Sequence, residues 1–238
     1  MKTEIEGKKE PQQDAQQKTL YVDFLFFKLD PAFRRITDKE RDKAVSEFRE
    51  FLQESGRWIT LRPYLSLGFR AEVDFLLWAI TEDLQKVQEF LKGLYRTEFG
   101  KYLSLGYSFV ALKKPSQYAL PHKQAFEEEL PSKKFLFVYP FVKTREWYLL
   151  PFEKRKEIME QHFRIAHEFP MVRLNTTYAF GLGDQDFVLA FEADDPTDFE
   201  NLVQKLRETE SSRFTVRDTP MVVLTTHTFD TLLEGLGL

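Results

Sequence analysis

Residues 135–169, FLFVYPFVKTREWYLLPFEKRKEIMEQHFRIAHEF, pass from an aromatic strand run into a helical pattern. Pro151 suits a first helical position, where its missing N–H costs nothing. Ile158, Met159, His162, Phe163, Ala166 and Phe169 then recur at steps of one, three and four. That spacing is one apolar stripe of a 3.6-residue period. Lys154, Arg155, Lys156, Glu160 and Arg164 are left for the wet face. His162 lies inside the stripe. A histidine there is either a core residue with local partners or a ligand, since neutral imidazole binds iron well.

Working outward, the same strand–helix opening occurs earlier. Residues 19–30 (TLYVDFLFFKLD) read as a strand. Thr37 and Glu40 form a possible capping box, and Ala44, Val45, Phe48, Phe51 and Leu52 follow at helical spacing. Gly56 ends that helix. Strands are expected at 59–67 and 73–80, a helix at 81–99 and a strand at 107–112. After a connector the second half repeats the order. Strand 135–140 and helix 151–169 lead to strands 172–180 and 187–192. Asp195-Pro196 then starts a helix as N-cap and N1. A strand at 221–226 and a short helix at 229–236 close the chain.

Both halves set a glycine turn before an Asp-Phe strand start, at Gly68…Asp74-Phe75 and at Gly181…Asp186-Phe187. The fold expected is α+β: two tandem ferredoxin-like βαββαβ repeats forming a dimeric α+β barrel within one chain. The divisions expected are a disordered tail at 1–18 and a first repeat at 19–113. A connector at 114–134, rich in proline and carrying Glu127 to Glu129, precedes a second repeat at 135–238. The helix of His162 would bound an apolar pocket against its sheet.

Composition narrows the chemistry. The chain has 238 residues, 42% apolar, 24 of them Phe, with a net charge of −4. No basic surplus favours nucleic acid or an anionic membrane. No cysteine is present, which excludes disulfides, thiolate metal sites and thiol catalysis. Only four histidines occur (His122, His162, His167, His227), too few for an all-histidine centre in addition to other roles. No nucleophile elbow and no phosphate-binding glycine loop is visible. No apolar run reaches membrane-spanning length and residues 1–18 lack the form of a signal peptide, so a cytoplasmic location is expected.

One ordered set is far more specific than its parts: Tyr139-Pro140-Phe141-Val142-Lys143, Trp147-Tyr148, His162, Gly181-Leu182-Gly183-Asp184, Asp195-Pro196, Arg207 and Ser212. It resembles the chlorite dismutase family, and within it the coproheme decarboxylases of bacterial haem synthesis. The likeness covers the second half residue by residue and the first half by order of elements. It implies a porphyrin cofactor or substrate, haem b or iron-coproporphyrin III (coproheme), with hydrogen peroxide as partner. It implies that His162 is the proximal ligand of the iron. Tyr139 would be the redox tyrosine that passes oxidation to a propionate, and Lys143 would hold the reacting propionate. Arg207 and Ser212 would bind other propionates, and Trp147 would pack on the proximal side. It further implies a homo-oligomer, often a pentamer.

Departures from the pattern are equally specific. Leu174 falls where decarboxylases carry a distal glutamine and chlorite dismutases an arginine, with Arg173 beside it; strand alternation lets one of the two point inward. Ala125 stands where a propionate-binding arginine is common, with Lys123 as the nearby cation. Phe141 replaces a common methionine. Two rivals follow. Chlorite dismutation on haem b would need Arg173 at the iron. A haem carrier, a sensor or a haem-free barrel would suit an apolar distal face.

Overall fold

The computed structural model describes residues 19–118, 124–128 and 130–238. The expected tail at 1–18, with His122, Lys123 and Glu129, lies outside the described residues. The first repeat runs β1 (Tyr21–Leu29), α1 (Asp38–Ser55), β2 (Thr60–Leu65), β3 (Phe75–Thr81), α2 (Gln85–Leu94) and β4 (Leu103–Leu112). The second runs β5 (Phe135–Lys143), α3 (Arg145–Leu149), α4 (Phe152–Ala166), β6 (Arg173–Tyr178), β7 (Phe187–Ala193), α5 (Pro196–Arg207), β8 (Thr215–Arg217), β9 (Val222–Thr226) and α6 (Phe229–Gly235).

Each repeat lays its four long strands in the order of a ferredoxin-like sheet, β4-β1-β3-β2 and β6-β7-β5-β9, all antiparallel. Two short seams join them. Leu112 pairs with Tyr178 between β4 and β6, while Tyr64 and Leu65 pair with Thr226 and Thr225 between β2 and β9. The ring closes, which leaves no open sheet edge along it.

Closure explains the unusual strand composition. Val22, Phe24 and Phe26 fill the barrel interior, whereas Leu25, Phe27 and Leu29 of the same strand face the outer helices. Both faces of β1 are buried, so its sequence is apolar throughout instead of alternating. In β5, Leu136 and Val138 point inward while Phe137 and Tyr139 point to the helix layer.

The two outer layers are filled unequally. In the first repeat Phe33, Phe48, Phe90 and Phe99 pack without exposure against Leu25 and Phe27. In the second, Ile158 is the one buried residue of α4. His162, Phe163 and Ala166 are only partly covered. Cross-strand pairing of Phe27 with Phe75 and of Phe141 with Phe187 puts Leu25 and Tyr139 at equivalent places. Where the first layer has a leucine in a full core, the second has a phenol beside incompletely covered apolar surface.

Several boundaries differ from expectation. The helix expected at 151–169 is preceded by a separate short helix, α3, capped by Thr144, whose hydroxyl accepts from the N–H of Trp147. Pro151 forces the break, since the residue before a proline avoids the helical region, and Leu150 is extended at ψ 145°. The helix expected at 81–99 is confined to Gln85–Leu94, because Thr81 completes β3. Thr37 and Glu40 do form a capping box, and Asp195 does cap α5 with Pro196 at its first position. Gly181 turns with φ +75° and Gly68 with φ +85°, a backbone region that only glycine enters freely.

Candidate functional site

Strand β5 delivers Tyr139 to the second helix layer. The side chain is 6% exposed and its ring stacks on Phe191 at 5.9 Å and 10°. Its hydroxyl has no hydrogen-bond partner among the described residues. Burial, reinforced by the charge of Asp218 and eased by that of Arg207, pushes this phenol above its ordinary value. It therefore stays protonated at neutral pH.

Helix α4 presents His162 on the same layer. A chain of hydroxyls fixes its ring. Thr209 Oγ1 donates to the carbonyl of Leu206 at 2.6 Å and lies 3.3 Å from Ser211 Oγ, which lies 3.1 Å from His162 Nδ1. With the Thr209 proton committed, the arrangement that makes a hydrogen bond of both contacts has Ser211 donating to Thr209 and accepting from Nδ1–H. In that arrangement Nε2 is the unprotonated nitrogen and carries the lone pair. Burial, helped by the positive charge of Lys143, lowers His162 to about 4, so the ring is neutral. An orienting hydrogen bond on one ring nitrogen is the usual partner of a metal bond on the other. The pattern of donors fits a single-histidine iron site. Among the described residues no group of three or more His, Asp or Glu gathers to hold a metal without a porphyrin.

Lys143 is brought to His162 rather than out to solvent. Its ammonium donates to the Ser211 carbonyl at 2.9 Å and lies 4.8 Å from the ring centre of Trp147. Burial draws it down to about 8. Trp147 is 2% exposed and packs on Phe214 and Tyr118. Asp186 holds this corner. Its Oδ2 accepts from the Lys143 backbone at 2.8 Å and from the Tyr148 hydroxyl at 2.7 Å.

Other expected residues are placed differently. The hydroxyl of Ser212 faces the carbonyls of Arg207 and Thr209, both at 2.8 Å, and so caps the end of α5. Its neighbour Ser211 is the one that meets the histidine. Arg207 is largely exposed and pairs with Asp218 at 3.0 Å. Arg173 is not in the layer: its guanidinium donates to the carbonyl of Pro131 at 2.7 Å. Asn175, on the same strand face as Arg173, points into the barrel and donates to Glu192 at 2.9 Å. Leu174 is opposite Phe191 in β7, on the Tyr139 face, and is 38% exposed. The residue expected at the distal position is therefore apolar.

Arg155 also departs from expectation. Read as a wet-face cation, it is half-buried and donates to the Tyr118 hydroxyl at 3.1 Å. Tyr118 in turn stacks on Phe152 at 5.8 Å. Ser211, Thr209, Asp186, Tyr118 and Arg155 were not legible as site residues. The spacing of Arg155 from His162, seven residues and so two helical turns, was the signal that could have found it.

Residues 41–226 match the chlorite dismutase family. The chain is 34% identical over 185 residues to a coproheme decarboxylase of Mycolicibacterium smegmatis, covering 76% of this chain and 80% of that protein. It is 26% identical over 231 residues to a chlorite dismutase of Ideonella dechloratans, covering 92% of this chain and 80% of the other. Among solved structures, chlorite dismutase from Candidatus Nitrospira defluvii in complex with imidazole superposes with a TM-score of 0.84 at 26% identity. That match covers 92% of this chain and 95% of the other.

Proposed function

The chain belongs to the chlorite dismutase family, and on that premise we propose that it is a peroxide-dependent coproheme decarboxylase that makes haem b from iron-coproporphyrin III. The observation that carries this reading is the pair His162 and Tyr139 in one incompletely filled layer. One is a neutral imidazole whose Nδ1 lies 3.1 Å from Ser211 Oγ, and the other a protonated phenol without a hydrogen-bond partner among the described residues. The 34% identity to a coproheme decarboxylase supports the same choice.

In each of two rounds a propionate and one hydrogen peroxide become a vinyl group, carbon dioxide and two waters. The porphyrin iron, when bound, supplies the oxidising power once peroxide reaches it. The protein's part is orientation and proton control. His162 would hold the iron through Nε2, with Ser211 keeping the proton on Nδ1. Tyr139, protonated because buried, can release its electron and proton together, which abstraction of hydrogen from a propionate carbon requires. Leu174, Phe191 and the α4 stripe would give the porphyrin apolar walls. Leu174 at the distal position, with Arg173 turned to Pro131, argues against chlorite dismutation, which would need an arginine there.

The test is to titrate the purified protein with ferric coproheme, add hydrogen peroxide and follow porphyrin mass. Stepwise loss of two carboxyl groups is expected. Tyr139→Phe should bind coproheme as tightly as the wild type but lose turnover by at least about a hundredfold. Tight binding with no change of mass in the wild type would overturn the decarboxylase reading in favour of a porphyrin carrier.

A further inference from the structure

Coproheme carries four carboxylates, and a pocket that takes it needs cations with donors to spare. The three donors expected for that role have their principal contacts elsewhere. Lys143 is held on the Ser211 carbonyl, Arg207 lies on Asp218, and Ser212 caps α5. Arg155 differs from them. It sits two turns before His162 on the same face of α4, about 10 Å along the axis. Its guanidinium rests against the rings of Tyr118 and Phe152, at 5.9 and 5.7 Å. The Tyr118 hydroxyl at 3.1 Å is its one hydrogen-bond partner among the described residues, and no carboxylate there pairs with it. The buried Nε has no partner among the described residues. A guanidinium partly withdrawn from water without an anion is costly, and a ligand anion would offset that cost. Because Tyr118 accepts from Arg155, its own proton is free to be donated.

We propose that Arg155 and Tyr118 together form a carboxylate-binding pair that takes one propionate of the porphyrin, standing in for the arginine absent at Ala125. The proposal rests on the porphyrin reading above. The competing account is that Arg155 only fastens the connector to α4. That would show in the stability of the porphyrin-free protein and would be indifferent to ligand charge.

The experiment compares ferric coproheme with its tetramethyl ester, in which all four carboxylates are capped, on the full-length protein. Arg155→Gln should weaken coproheme binding by about tenfold, leave the ester unaffected and leave the porphyrin-free melting temperature unchanged. Tyr118→Phe keeps the ring stack and removes one donor, and should weaken coproheme alone by about threefold. Arg155→Lys should recover part of the loss, since it keeps charge without the planar fork. Equal losses for acid and ester, or no loss for either variant, would overturn the pair. A wild-type protein that binds neither porphyrin would overturn the porphyrin reading itself. Wild-type binding with unaltered variants overturns this inference alone.

Discussion

Two hydroxyls decide which nitrogen of His162 is available. Ser211 lies 3.1 Å from Nδ1 and Thr209 anchors Ser211 from behind. Ser211→Ala leaves a buried N–H with no acceptor, a cost of about 1–3 kcal/mol, which a change of tautomer would relieve by moving the proton to Nε2. Nitrogen-15 shifts of the porphyrin-free protein should read Nδ1–H in the wild type and a mixture in the variant, with weaker porphyrin binding. An unchanged tautomer would show that the ring is fixed by something else. Asp23 makes a separate prediction. It is 3% exposed and its carboxylate accepts from Ser108 Oγ at 2.9 Å. Burial raises it from 3.8 to about 6, against the lowering bonds from Ser108 and Phe109. The folded protein then binds the proton more tightly than the unfolded chain between pH 4 and 6. The contribution of Asp23 to stability is highest below that window and falls by about 3 kcal/mol across it. Asp23→Asn should remove that fall, so denaturant midpoints measured at pH 4 and pH 7 should lie closer together than in the wild type. An equal fall in the variant would put the pH dependence elsewhere.

What was readable at the level of elements was what is local. The Thr37–Glu40 box, Asp195-Pro196 and the Gly181 turn each satisfy backbone groups within a few residues, so their sequence signatures survive in the structure. The apolar stripe of α4 was legible for the same reason, and with it His162. The remaining site depends on contacts distant in sequence. Gln124 accepts from the Thr176 N–H and Phe126 N–H donates to Asn175, so the connector runs beside β6, and no periodicity announces this. Ser211 and Ser212 sit in a 3-10 turn, Glu210–Phe214, where successive side chains diverge by a third of a turn. Which of the two serines meets His162 is therefore a matter of geometry that spacing does not carry. The charge of Arg155 signals exposure, whereas a long side chain can lie along an aromatic surface, as this one does on Tyr118 and Phe152.

At the scale of the whole molecule, the repeats are not separable bodies. They share one closed sheet and one interior, to which the first contributes Phe24 and Trp78 and the second Leu136 and Val188. The chain's last helix strengthens the tie. Helix α6 follows the second repeat in sequence but inserts Leu232, Leu233 and Leu236 into the outer core of the first. Unfolding either half would therefore expose the interior of both, and a single cooperative transition is expected. Leu233→Ala removes a fully buried side chain from that core and should cost about 2–5 kcal/mol. The sharper expectation concerns where the loss is felt. Trp58 and Trp78 report on the first repeat, and Trp147 lies in the second. Variants that keep only Trp78 or only Trp147 should give coincident denaturation curves, and Leu233→Ala should shift both by the same amount. If the Trp147 curve stayed in place while the Trp78 curve moved, the halves would be folding independently. The two short seams would then be contacts between finished domains rather than the closure of one barrel.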